Sequence, residues 1–161
     1  MNGRKQRGTT SVEFAIVGLL AMICILGVIE VSRLLFTINV LGEVTRRGVR
    51  VAVVCPVNDP AIAQIAVLNS SGGTDSPVIN GLTTANIQLE YLDATGTPVT
   101  IGGPPFDPAV FITIAYARVQ VINYVHQWIF PGLGAFNMPP QPSVLPRESL
   151  GVPRDEAVQP C

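Results

Sequence analysis

The sequence has no proline before residue 56, a single lysine (Lys5), a single histidine (His126) and few charges of either sign. Charged residues make up 13% of the 161 positions, about half the roughly 25% usual for soluble domains. A net charge of −1 with no basic stripe excludes a nucleic-acid-binding surface, which needs clustered Lys and Arg. Three scattered cysteines and one histidine do not make the close Cys/His spacing of a zinc site. No phosphate-binding glycine loop, Gly-x-Ser-x-Gly or Cys-x-x-Cys occurs, so the pattern points to no catalytic residues, no metal and no cofactor. The length suits one domain with an appendage.

The charge that is missing is missing locally. Arg4, Lys5 and Arg7 open the chain without an acid, and residues 14–29 are then sixteen uncharged positions. The apolar texture continues to Leu41, interrupted only by Glu30 and Arg33. A helix needs about 20 largely apolar residues to cross a bilayer, and residues 14–38 supply them. Glu30 and Arg33 stand three apart on one helical face, where they can pair near the far interface. Basic residues flank the run on both sides, with Arg46, Arg47 and Arg50 following it, so the positive-inside count is a tie. The long cysteine-containing segment beyond favours an amino terminus in the cytoplasm and the rest outside. A cleaved secretory signal is disfavoured, because the run is too long and its exit lacks an Ala-x-Ala site. An uncleaved single-pass anchor carrying an extracytoplasmic binding domain fits these features.

Glu13 does not fit a simple anchor. A carboxylate at the start of an apolar run costs a few kcal/mol on insertion scales and calls for a partner, unless it stays at the interface. It stands five residues after Gly8, which closes the basic leader, and Phe14 follows it. Basic leader, Gly, Glu, aromatic and apolar helix together resemble a type IV prepilin processing site. The stretch Thr45-Arg46-Arg47-Gly48-Val49-Arg50 narrows the resemblance to the TadE family, the pseudopilins of tight-adherence (Flp) pilus systems. Secretion pseudopilins share the prepilin-like start, and the Arg-x-Glu element common near the family's end is only Arg147-Glu148 here. The resemblance implies a structural subunit, cut between Gly8 and Thr9 by a prepilin peptidase in the bacterial inner membrane. Its partners would be that peptidase, other pilin and pseudopilin subunits, an inner-membrane assembly platform and the lipid bilayer. Residues 1–8 would be the leader, and Glu13 and Phe14 would act in assembly, the Glu13 carboxylate pairing with the new terminal ammonium of a neighbouring subunit. The remaining 153 residues would carry seven basic and eleven acidic groups. Arg46, Arg47 and Arg50 are readable as a solvated face, as lipid-headgroup contacts, or as partners for acids of the outer domain or of a neighbouring subunit.

The helical pattern outlasts the membrane. Leu34, Leu35, Ile38, Leu41, Val44, Val49 and Val53 leave a stripe that predicts one helix over residues 9–54, roughly 68 Å long at about 1.5 Å per residue, with Gly42 and Gly48 as sites of close packing or bending. Pro56 ends it, and residues 55–161 form the outer domain. Asp59-Pro60 predicts a helix over 60–69. Alternation predicts a strand over 86–93, with Ile87, Leu89 and Tyr91 inward, and a return strand over 98–101. Residues 110–124 are the longest β-rich run, with Ile112, Ile114 and Tyr116 on one face, and a short strand is expected over 143–145. The fold class is α+β: a long amino-terminal helix packed on a small antiparallel sheet, type IV pilin-like. Cys24 reads as a small hydrophobe. An oxidising compartment permits a Cys55–Cys161 bridge, although Cys161 could also stay free or pair between subunits. His126 lies among Tyr124, Trp128 and Phe130, a patch readable as core or as a partner contact.

Overall fold

The computed structural model describes residues 7–69, 72–102, 108–129, 134–151 and 161. Helix α1, Arg7–Ala52, runs for 46 residues without a break, as the proline-free sequence demands. Past Ala52 the Val53 and Cys55 amides still donate to the Val49 and Val51 carbonyls at 3.1 and 2.9 Å, and the Val54 amide makes a tighter turn to Val51 at 3.1 Å. The first part of α1 and the rest live in different surroundings. From Gly8 to Ile29 no residue is buried. From Glu30 onward Thr37, Leu41, Val44, Thr45, Val49 and Ala52 are buried, a three-and-four spacing that turns one stripe toward the outer domain. The cover therefore begins at Glu30, inside the 14–38 segment expected to span the membrane.

Helix α2, Pro60–Ala66, is shorter than the predicted 60–69. Its start is as read: the Asp59 carboxylate accepts from the Ala61 amide at 2.8 Å. Its end comes early because Leu68 takes a left-handed backbone, φ 66°, which no helix continues through.

A three-stranded antiparallel sheet of order β1-β2-β5 is formed by β1 (Ile87–Leu92), β2 (Tyr116–Val121) and β5 (Gln141–Pro146). β1 keeps its predicted faces. Tyr91 is buried, Ile87 and Leu89 pack on the core, and on the opposite side Gln88 and Glu90 bond to Gln120 and Arg118 of β2. The predicted return strand shrinks to one bridge, Leu92 to Pro98, and a Val99 amide bond to Tyr91 at 2.8 Å.

The run at 110–124 differs most from its prediction. It opens in a short helix α3, Pro108–Phe111, and turns where the Thr113 hydroxyl donates to the Val110 carbonyl at 2.7 Å. The strand proper starts at Tyr116 and buries Ala117, Val119 and Val121. Ile114 is buried, whereas Ile112 and Tyr116 are exposed: the three do not share one face, because the turn interrupts the alternation. Asn123, φ 54°, closes the element before a separate hairpin of β3 (Val125–Gln127) and β4 (Ala135–Asn137). β5 is longer than the predicted 143–145, and as an edge strand it tolerates Pro142 and Pro146, which point outward.

One core joins the end of α1 to the sheet through Val49, Val53, Ile62, Tyr91, Ile114 and Val119. A second joins its middle to α2 and the hairpin region through Leu41, Val44, Val67, Leu82, Tyr124 and Met138. The carboxyl-terminal segment then satisfies carbonyls beyond the end of α1. The Leu150 and Gly151 amides donate to Val53 and Val54 at 3.1 and 2.7 Å, serving groups that a helix end otherwise leaves unpaired. Gly151 has φ +75°, and a Cβ there would stand 2.6 Å from the Pro56 nitrogen. Gly151→Ala is therefore expected to destabilise the chain by about 2 kcal/mol or more. Guanidinium unfolding of the full chain in detergent micelles checks it, and an unchanged midpoint would count against this closure.

Candidate functional site

The exposed half of α1 is the first candidate. Residues 8–29 present apolar side chains all round, with Phe14 79% exposed, and the most apolar window of the helix has a mean hydropathy of 2.7 with none of it buried. Length and composition suffice to cross a membrane. Gly8, Thr9 and Glu13 all lie on this exposed helix. Thr9 and Glu13 are four apart, so they share a face with about 6 Å of axial rise between them. Residues 1–6 of the expected leader lie outside the described residues. Cys24 is a free thiol on the exposed surface.

The second candidate lies where exposure stops. Arg33 pairs with Glu30 at 3.1 Å, as their spacing predicted. The other Glu30 oxygen accepts from the Ile129 amide, 99 positions away in sequence. Two turns further along the helix, Thr37 Oγ1 lies 3.4 Å from His126 Nδ1. His126 is buried, and Trp128 meets it edge-on with ring centroids 5.3 Å apart. Burial first, and then the nearby Arg33 cation, push the imidazole pKa below its ordinary value, with Glu30 pulling the other way. These residues hold the β3–β4 hairpin against the helix, and Tyr124 lies in the core beside them, bonding to the Asn80 carbonyl at 3.1 Å. Phe130 lies outside the described residues. Arg33, Asn80, His126 and Trp128 line a cleft of about 430 Å³. Among the described residues no group of three or more His, Cys, Asp or Glu could hold a metal ion.

The remaining residues divide clearly. Arg46, Arg47 and Arg50 are exposed on α1, and Arg46 pairs with Glu43 of its own helix at 3.3 Å. Among the described residues Arg47 and Arg50 form no ion pair. Cys55 and Cys161 are bridged, with Cα atoms 5.7 Å apart. Arg147 donates to the Phe111 carbonyl at 2.9 Å and stands over the Phe111 ring, so its side chain packs locally.

The Glu30–Ile129 and Thr37–His126 contacts were not legible in the sequence. They join residues 99 and 89 positions apart, and the only local hint was an acid interrupting an apolar run.

Residues 8–50 match the family model for TadE-like proteins. The match covers nearly all of α1 and none of the outer domain. No curated protein and no solved structure matches the chain.

Proposed function

A TadE-like amino-terminal helix relates this chain to tight-adherence pilus proteins, and from that premise we propose that it is a minor pilin-like structural subunit. It is made as a precursor in the bacterial inner membrane, cut after Gly8 by a prepilin peptidase, and packed laterally with other pilin or pseudopilin subunits at an inner-membrane platform. The observation that carries this reading is the exposed helix over residues 8–29, with Glu13 as its one carboxylate. The membrane part is residues 9–29, shorter at its outer end than a span of 14–38. From Glu30 the outer domain covers one face of the helix, while Val31, Leu35 and Phe36 stay exposed on the others, and 21 residues at about 1.5 Å each rise about 31 Å, the thickness of a hydrocarbon core.

In lipid, the Glu13 carboxylate needs a positive partner. Cleavage supplies one, the α-ammonium of Thr9. A neighbouring helix displaced by about one turn sets its own Thr9 terminus beside Glu13, so both charges are satisfied only in register.

Mass spectrometry of membrane-extracted protein is expected to show chains beginning at Thr9. Glu13→Ala should insert normally, yet leave an ammonium unpaired in the packed bundle, at about 3–5 kcal/mol. Its recovery in sheared filaments should fall at least about tenfold. Unchanged recovery would remove the pairing mechanism.

One observation favours a second reading, an uncleaved single-pass anchor carrying a binding domain. The helix already includes Arg7 and runs unbroken through the Gly8–Thr9 bond. The same mass measurement separates the two, because an anchor keeps Met1 or Asn2 in cells that contain the peptidase.

A further inference from the structure

We propose that the β3–β4 hairpin is a second membrane contact, which lies in the outer headgroup layer beside the emerging helix; this rests on the reading of residues 9–29 as the membrane span. The Ile129 amide is bonded to Glu30, so the chain just past β3 is fixed at the level where burial of α1 begins. There Ile129 is 62% exposed, while Val125 (40%) and Phe136 (46%) are exposed on the two faces of the hairpin further from the span, beside His126 at the level of Thr37. Beside a helix whose exposed residues are already in lipid, Ile129 continues that apolar surface sideways.

The polar groups agree with that depth. Arg33 sits one turn beyond Glu30 with its side chain 41% exposed, placed to reach a lipid phosphate, as Arg at helix ends does. Trp128, half-buried against His126, has an apolar body and one N–H donor, the character that enriches Trp at membrane interfaces. A headgroup layer accepts apolar side chains, a cation and an indole together. The hydrocarbon core would reject Arg33. Contact on both sides of Glu30 would hold the outer domain at one angle to the bilayer before assembly.

Trp128 is the only tryptophan, so it reports the hairpin directly. The full chain is reconstituted at low density in phosphatidylcholine–phosphatidylglycerol vesicles, and flotation is scored separately from fluorescence. Lipids carrying a nitroxide at the headgroup or the first acyl carbons are expected to quench Trp128 about twofold or more, and a nitroxide near the bilayer centre much less. Ile129→Asp, at an exposed side chain, should keep the wild-type unfolding midpoint in detergent and lose most of the quenching. Chains that float but show no nitroxide quenching overturn the hairpin contact and leave the anchor standing. Equal quenching in wild type and Ile129→Asp overturns it as well, since the helix alone would then set the depth of Trp128. Emission that changes with chain density and ignores the nitroxide means that a second copy covers the hairpin, which also overturns it. Chains that fail to float overturn the membrane span, and the hairpin contact with it.

Discussion

Cys161→Ser is expected to lower the stability of the outer domain by up to about 5 kcal/mol, the chain-entropy value for a loop of this length. The bridge joins residues 106 positions apart, so its loss frees nearly the whole outer domain in the unfolded state. The folded state loses less. Cys161 also donates its amide to Asp59 Oδ2 at 3.4 Å, while Asp59 Oδ1 caps α2. The tail is thus tied to the base of the domain where α1 ends and α2 begins. Cys55 is buried in the core beside Val53 and Leu150, so Cys55→Ser should be the more damaging change, because it adds a hydroxyl to an apolar site. Guanidinium unfolding of the full chain in micelles checks both. Dithiothreitol should bring the oxidised wild type to the level of Cys161→Ser and leave that variant where it is. A wild type indifferent to reductant would mean that the bridge adds nothing to stability.

Local chemistry was legible from the sequence, and long-range placement was not. The absence of proline before residue 56 foretold one continuous helix, and α1 extends to Ala52. Asp59-Pro60 marked the start of α2 because capping depends on neighbours alone. Ile87, Leu89 and Tyr91 were readable because β1 alternates without interruption. The run at 110–124 misled because strand propensity says nothing of the Thr113 turn that resets the phase. Residues 30–38 illustrate a harder limit: exposed apolar residues and apolar residues packed against a domain look alike in sequence. Long-range contacts such as Ile129 against Glu30 and His126 against Thr37 mark the covered face, and no local pattern carries them. At the candidate processing site the reverse holds. Gly8, Thr9 and Glu13 are meaningful as a sequence pattern, whereas their geometry is that of any exposed helix.

Two glycines of α1 should respond differently to the same substitution. Glycine within a helix costs about 1 kcal/mol relative to alanine, so either change begins with that gain. At Gly42 a Cβ would meet the Gln141 Oε1 atom at 3.5 Å and Arg46 Nη2 at 3.7 Å, ordinary contacts at the far ends of flexible side chains. Gly42→Ala is therefore expected to stabilise by up to about 1 kcal/mol. At Gly48 a Cβ would stand 3.0 Å from both the Ala66 Cβ and Val119 Cγ1. Those atoms belong to α2 on one side and β2 on the other, both packed on α1, so neither yields without moving an element. Overpacking of this kind costs about 1–3 kcal/mol, enough to cancel the helical gain in Gly48→Ala or reverse it. Gly48→Val adds two methyl groups and a poorer helix former, and should lose at least about 3 kcal/mol. Val119→Ala removes the Cγ1 atom on the sheet side, so the cost of Gly48→Ala should shrink in that background. Additive losses in the double variant would show that the two sites do not share the space, and that Gly48 is present for some reason other than the approach of helix to sheet.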